Sequence, residues 1–180
     1  MKKFYLSSVV AAILASSNLN AADPSLYPSS VTMFGGYTIY SQMSTLNNNR
    51  SYSFRFTQND FGIENFGLGA FQLAIDYTPD ILYKGSKDTT SSIKFGPNLL
   101  WYMGNDSEIT PYLLMGAGIE HLTNASKDFN TVDFYANAGI GAEFALRDDI
   151  SLVGEAKYSY ASPKRKGTTV GAGLKFSFGE

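Results

Sequence analysis

From Val31 onward, apolar and polar residues alternate with a period of two, in strand-length runs broken by clusters of turn-forming residues. That is the pattern of half-buried β-strands, and eight such runs can be read. In 31–40, Val31, Met33, Tyr37 and Ile39 share one face, with Thr32, Gly36 and Thr38 opposite. In 51–58, Tyr52, Phe54 and Phe56 alternate with Ser53, Arg55 and Thr57. Segment 66–77 sets Phe71, Leu73, Ile75 and Tyr77 against Gln72, Ala74 and Asp76, and 91–103 sets Ile93, Phe95, Leu99 and Trp101 against Lys94, Gly96 and Asn98.

The second half repeats the scheme in 109–122, 132–146, 150–161 and 168–178. Phe134, Ala136, Ala138, Ile140, Ala142 and Phe144 oppose Asn137, Gly139, Gly141 and Glu143, and Ile150, Leu152, Ala156, Tyr158 and Tyr160 oppose Ser151, Glu155 and Lys157. In the last run Val170, Ala172, Leu174, Phe176 and Phe178 oppose Thr169, Gly171, Gly173, Lys175 and Ser177. The fifth run is irregular: with Leu113, Met115, Ala117 and Ile119 on the apolar face, Tyr112 and Leu114 fall among the polar set.

A strand with a continuous apolar row on one face and small or charged residues on the other suits a wall between lipid and a polar interior. Strands can span a bilayer only when closed, because an open edge leaves backbone groups unpaired in lipid. The expected fold is therefore all-β, an eight-stranded antiparallel transmembrane up-and-down β-barrel. The connections agree: 41–50, 78–90, 123–131 and 162–167 are polar and longer, whereas 104–108 and 147–149 are tight, as for outer loops and periplasmic turns. The segment 59–65 is longer than that rule favours. Tyr40, Tyr52, Tyr77, Tyr160 and Trp101 lie near strand ends, where aromatic rings settle at headgroup level.

The first 22 residues read as a secretory signal, with Lys2 and Lys3 before an apolar run that includes Val9 to Ala15 and small residues at Ala21 and Ala22. Residues 23–180 form the expected barrel domain. The chain has 180 residues, 14 Lys+Arg against 16 Asp+Glu and no cysteine. Loss of Lys2 and Lys3 takes the formal charge from −2 to −4, which excludes the basic excess expected of a nucleic-acid partner. Without cysteine there is no disulfide framework and no lipoprotein anchor.

The segments GAGLKFSF (171–178), DDISLVGEAKYSYA (148–161) and ITPYLLMGAGI (109–119) resemble the small outer-membrane barrels of the OmpA/OmpX type, which include the opacity-like surface proteins. The resemblance covers essentially the whole mature chain. It implies location in the outer membrane of a Gram-negative cell, contact with its lipid and lipopolysaccharide, and the barrel-assembly machinery as a partner in biogenesis. It also implies a structural or surface-contact role, in envelope integrity or adhesion, with a host or surface ligand reached through the loops. The family's chain ends on an aromatic residue, whereas Gly179 and Glu180 follow Phe178 here. Nothing after Phe178 has the length of the peptidoglycan-binding domain of longer relatives, so no cell-wall tether is expected.

The inward set predicted by parity contains Arg55, Asp76, Lys94, Glu120, Glu143, Glu155, Lys157 and Lys175. An eight-stranded barrel is narrow enough for side chains to fill it, so these charges read as a salt-bridged plug. A gated ion path or proton relay is the other reading. A last hairpin turning about Arg165 sets Glu155 across from Lys175, with Lys157 nearby. The basic tip Lys164, Arg165 and Lys166 is either a solvated turn or a contact for lipopolysaccharide phosphates.

Small barrels also include lipid A deacylases and palmitoyltransferases. The single histidine, in His121-Leu122-Thr123-Asn124, faintly resembles the deacylase His-x-Ser-Asn motif, but on the fifth strand and with Thr for Ser. At the position corresponding to the deacylase base the chain has Lys157. One member of a triad is weak evidence, so no enzyme is expected, and a lipid-modifying enzyme or a narrow channel remain alternatives. No metal-ligand spacing and no cofactor motif is present: Gly116-Ala117-Gly118 and Gly139-Ile140-Gly141 lie inside strands, where glycine relieves crowding instead of holding a nucleotide.

Overall fold

The computed structural model describes residues 28–41, 44–59, 69–85, 87–103, 109–124, 129–162 and 165–179, and the expected leader at 1–22 lies outside them. Eight strands follow one another in chain order: β1 (Ser29–Tyr40), β2 (Asn49–Asn59), β3 (Gly69–Leu82), β4 (Thr89–Tyr102), β5 (Ile109–Asn124), β6 (Phe129–Arg147), β7 (Ile150–Ser162) and β8 (Arg165–Phe178). Each pairs antiparallel with the next, and β8 returns to β1, closing the barrel. Closure pairs Ser29 with Phe178 and Tyr40 with Gly167, so the sheet has no edge strand.

The period of two sets the wall. Met33, Tyr37, Tyr52, Phe54, Ile75, Tyr77, Phe95, Leu99, Trp101, Met115, Phe134, Ile140, Tyr158, Leu174 and Phe178 are exposed on the outside. The inward set is buried, including Arg55, Glu120, Glu155, Lys157 and Lys175. A soluble ligand-carrying barrel would invert this arrangement, so the exterior is that of a membrane span. The irregular fifth strand keeps its parity: Tyr112 and Leu114 do point inward, joining Ala70, Leu100, Tyr102 and Val153 in a buried apolar cluster.

Two expectations from the sequence are corrected. The connections are 41–48, 83–88, 125–128 and 163–164 at one end and 60–68, 103–108 and 148–149 at the other, so the contrast between long loops and short turns is weak. Residues assigned to the long loops are paired in β3, β5, β6 and β8 instead. Beyond the hydrocarbon a strand needs no apolar face, so its ladder continues while the alternation that marks it fades. Tyr40, expected in an outer aromatic girdle, is buried inside with Leu46 and Ile81. Below, the end carrying Ser29 and Phe178 is called the terminal end and the opposite one the distal end.

Candidate functional site

The chemistry is concentrated in the lumen, which falls into storeys. Near the terminal end Lys175 Nζ lies 2.8 Å from Glu143 Oε2, while Tyr102 OH donates to Glu143 Oε1 at 2.8 Å. The same ammonium sits 5.5 Å from the centre of the Tyr102 ring. Above it, Arg55 grips Glu155 through both terminal nitrogens, Nη1 to Oε2 at 2.7 Å and Nη2 to Oε1 at 2.9 Å. Tyr112 OH donates to Glu155 Oε2 at 3.0 Å, and Phe34 stacks 4.4 Å beneath the guanidinium. Such a fork-to-fork pair fixes geometry as well as charge.

An amide chain crosses the same level. Gln72 Nε2 donates to Thr57 Oγ1 at 3.1 Å, Asn98 Nδ2 to Gln72 Oε1 at 3.0 Å, and Asn137 Nδ2 to Asn98 Oδ1 at 3.2 Å. The last bond leaps over β5, whose residue in that row is Gly116. A Cβ there would run into the Asn98 side chain, so this glycine opens the passage between β4 and β6.

The distal storey is looser. Lys157 Nζ holds Asp76 Oδ2 at 2.6 Å, but Lys94 Nζ and Arg165 Nε each stand 3.8 Å from Glu120. Arg165 also pairs with Asp133, and Ser92 Oγ donates to Glu120 Oε1 at 2.7 Å. A cavity of about 10 Å³, room for roughly one water, lies among Thr38, Ser51, Arg55, Asp76, Thr78, Lys94 and Thr169. At the same end of the barrel Tyr40, Leu46 and Ile81 pack together as a second buried cluster. The segment carrying Leu46 is fastened to β3 by Asn47 N donating to Leu82 O and Lys84 N to Thr45 O, both at 2.8 Å.

All eight charges named by parity face this lumen, but the expected Glu155–Lys175 pair is not formed. Arg165 lies opposite Ser162, so the last hairpin turns earlier than about Arg165, and the register puts Glu155 against Gly171 and Lys175 against Ser151. The ion pairs run across the lumen instead, β2 to β7, β3 to β7 and β6 to β8, between strands that are not neighbours. Arg165 is no loop contact either: it is an inward residue of β8 bound to Asp133 and Glu120. Lys166 belongs to β8 opposite Tyr160, and Lys164 lies outside the described residues. Sequence reading missed Asp133, although Phe134 on the outer face implied it by parity. It also missed Tyr102, whose signal was its place beside outward Trp101.

His121 stands on the outer face, in register with Ile93 and Val132, whereas Glu120 points inward. Among the described residues no group of three or more His, Asp or Glu is placed to hold a metal.

No protein-family model matches the sequence, and no curated protein matches it. Solved structures do. Neisserial surface protein A (NspA) superposes with a TM-score of 0.66 at 14% identity, over 84% of this chain and 97% of that one. Ail, the attachment invasion locus protein of Yersinia pestis, gives 0.56 at 13% identity over 83% and 97%, and has also been solved with the heparin analogue sucrose octasulfate. The outer membrane protein OprG from Pseudomonas aeruginosa gives 0.57 at 12% identity over 89% and 100%. The chain thus has the fold of the small outer-membrane barrels that its sequence resembles.

Proposed function

We propose that this chain is a non-enzymatic outer-membrane barrel with a structural or surface-contact role in envelope integrity or adhesion. The observation that carries this reading is the filled lumen: Arg55–Glu155 and Lys175–Glu143 close it together with Tyr102, Tyr112 and Leu114. A barrel so plugged offers its outside and its distal rim to partners. The wall takes outer-membrane lipid. The distal rim carries exposed Arg50, Lys84 and Lys87, cations suited to lipopolysaccharide phosphates or to another anionic surface ligand. Ail, a neighbour in fold, is named for attachment, and its complex with a sulfated ligand supports the same kind of contact here.

Two measurements test the proposal. Cells displaying the barrel should bind a sulfated or phosphorylated glycan surface, and Arg50→Ala, Lys84→Ala and Lys87→Ala combined should lower that binding while leaving heat-modifiable migration on gels unchanged. In planar bilayers the pure protein should be silent. Discrete conductance steps would favour the channel, and lipid A masses that change with the wild type but not with His121→Ala would favour the enzyme.

A further inference from the structure

The wall of the barrel is not uniformly sealed at its distal end. The β2–β3 ladder stops at Tyr52 opposite Tyr77, although β2 continues to Asn49 and β3 to Leu82, and the two segments pair again only at Leu46 opposite Tyr83. Above that pair β3 changes register between Thr78 and Ile81, with Asp80 at φ 46°. Pro79 has no amide to donate, so the ladder cannot simply resume there. Among the described residues, the Asn49 side-chain amide donating to the Pro79 carbonyl links the two strands at this level.

The distal cavity reaches the wall at the same place. Its lining includes Ser51, Tyr52 and Ser53 from β2 and Asp76 and Thr78 from β3, the residues on either side of the point where pairing ends. Ser51 is 6% exposed, yet its Oγ has no hydrogen-bond partner. A buried hydroxyl without a partner calls for a solute or water to bond it. Distal to the gap the two segments are bridged at Leu46 and Tyr83, and Leu46 is 1% exposed, packed against Tyr40 and Ile81.

We infer that the distal cavity is entered from the side, through the open seam between β2 and β3, by water and by small hydrogen-bonding solutes, and that it prefers anions. The preference rests on Lys94: Arg55 is paired with Glu155 and Asp76 with Lys157, which leaves Lys94 as the cation of the lining that no carboxylate holds closely. Lys94 stands 3.8 Å from its carboxylate partner, beyond hydrogen-bond reach, so its ammonium has protons to offer. The seam lies just above outward Tyr52 and Tyr77, where the bilayer gives way to headgroups and water.

The chain has no cysteine, so an introduced thiol is the only one present. Ser92 is the control for Ser51: it is buried in the lumen, 2% exposed against 6%, and pairs with Thr78, at the height of Ser51 but one strand removed from the seam. In lipid vesicles, Ser51→Cys should react with a small uncharged thiol reagent about tenfold faster than Ser92→Cys, the advantage of a local opening confined to the seam. At Ser51→Cys an anionic reagent should outpace a cationic one of equal size. Pro79→Val, which restores the missing amide and keeps the equal spacing of the two segments between Tyr52–Tyr77 and Leu46–Tyr83, should bring Ser51→Cys down towards the rate of Ser92→Cys. Leu46→Gly should leave both rates unchanged. Equal rates at the two sites, or a rise of both in Leu46→Gly, would overturn lateral entry; a faster cationic reagent would overturn the anion preference. Hydrogen exchange on the unaltered chain gives a reading that needs no substitution. Peptides covering 50–51 and 78–80 should exchange before one covering 90–92, and equal protection counts against the seam.

Discussion

The terminal and distal halves of the lumen carry the same chemistry and differ in how tightly it is held. In the terminal half Glu143 and Glu155 each accept from a cation and from a tyrosine hydroxyl, at 2.7 to 3.0 Å. In the distal half Lys157 holds Asp76 at 2.6 Å, but Glu120 faces Lys94 and Arg165 at 3.8 Å apiece, and a cavity remains. Charge alone does not distinguish them. Arg55, Lys94, Lys157, Arg165 and Lys175 balance Asp76, Glu120, Asp133, Glu143 and Glu155 overall. The difference lies in the neighbours: Tyr102, Tyr112, Leu100 and Leu114 fill the terminal half and leave its ions one geometry, whereas Thr38, Ser51, Thr78 and Thr169 leave slack. Packing around an ion pair, more than the pair itself, decides whether it behaves as a plug.

The comparison breaks most severely at Glu155. Glu155→Ala takes the carboxylate from buried Arg55 and the acceptor from Tyr112, and should cost about 3–5 kcal/mol, the usual penalty for breaking a buried pair. Urea unfolding in lipid vesicles, followed by the gel shift of the folded barrel, reads this directly. Replacing both partners, Arg55→Met with Glu155→Leu, should recover most of the loss, because no buried charge is then left unpaired. Failure of the double variant to recover would mean that the pair fixes the fold of the lumen. Glu143→Ala should follow at about 2–3 kcal/mol. Lys175 loses its carboxylate there but keeps Tyr102, whose hydroxyl is 3.4 Å from its ammonium.

How much of this could be read from the chain depends on geometry of two kinds. Parity along a strand is local, and it placed Arg55, Lys94, Glu120 and Lys175 inside without any knowledge of the fold. Partner choice across the lumen depends on strand tilt, on the shear of the closed barrel and on where each hairpin turns. Lys175 shows the consequence: the hairpin tip lies before Arg165, so Lys175 meets Ser151 and reaches over to Glu143. Arg165 and Tyr40 were misplaced for a related reason. Both sit beyond the hydrocarbon, where polar and aromatic residues continue a ladder without the alternation that would announce it. The seam between β2 and β3 had a sequence signal in Pro79, a residue that cannot donate to a ladder, but its position on an inter-strand gap required the register.

Crowding offers a smaller test of the terminal half. Gly141 faces Tyr112 in register, and a Cβ there would press on the far end of the tyrosine ring. Gly141→Ala should cost about 2 kcal/mol, as overpacking of a filled interior does, and should weaken the Tyr112 bond to Glu155. Gly154, in the neighbouring strand, provides the contrast. A Cβ on it meets nothing within 4 Å, so Gly154→Ala should be neutral or stabilise by up to about 1 kcal/mol. Equal losses at both sites would show that strand geometry, not lumen packing, requires the glycines.

The smallest effect is expected in the distal half, and its size is the point. Glu120→Gln keeps the volume and an acceptor for Ser92 while removing the charge shared by Lys94 and Arg165. Arg165 keeps Asp133, and Lys94 retains the face of Tyr135 at 5.6 Å. The loss should be at most about 1 kcal/mol, because each cation keeps another contact and both stand 3.8 Å from the carboxylate, against several for breaking the close pair at Glu155. Measured by the same urea titration, a loss at Glu120 equal to that at Glu155 would erase the contrast between the halves: the distal ions would then be as tightly held as the terminal ones, and the water-sized space beside them would not be acting as solvent.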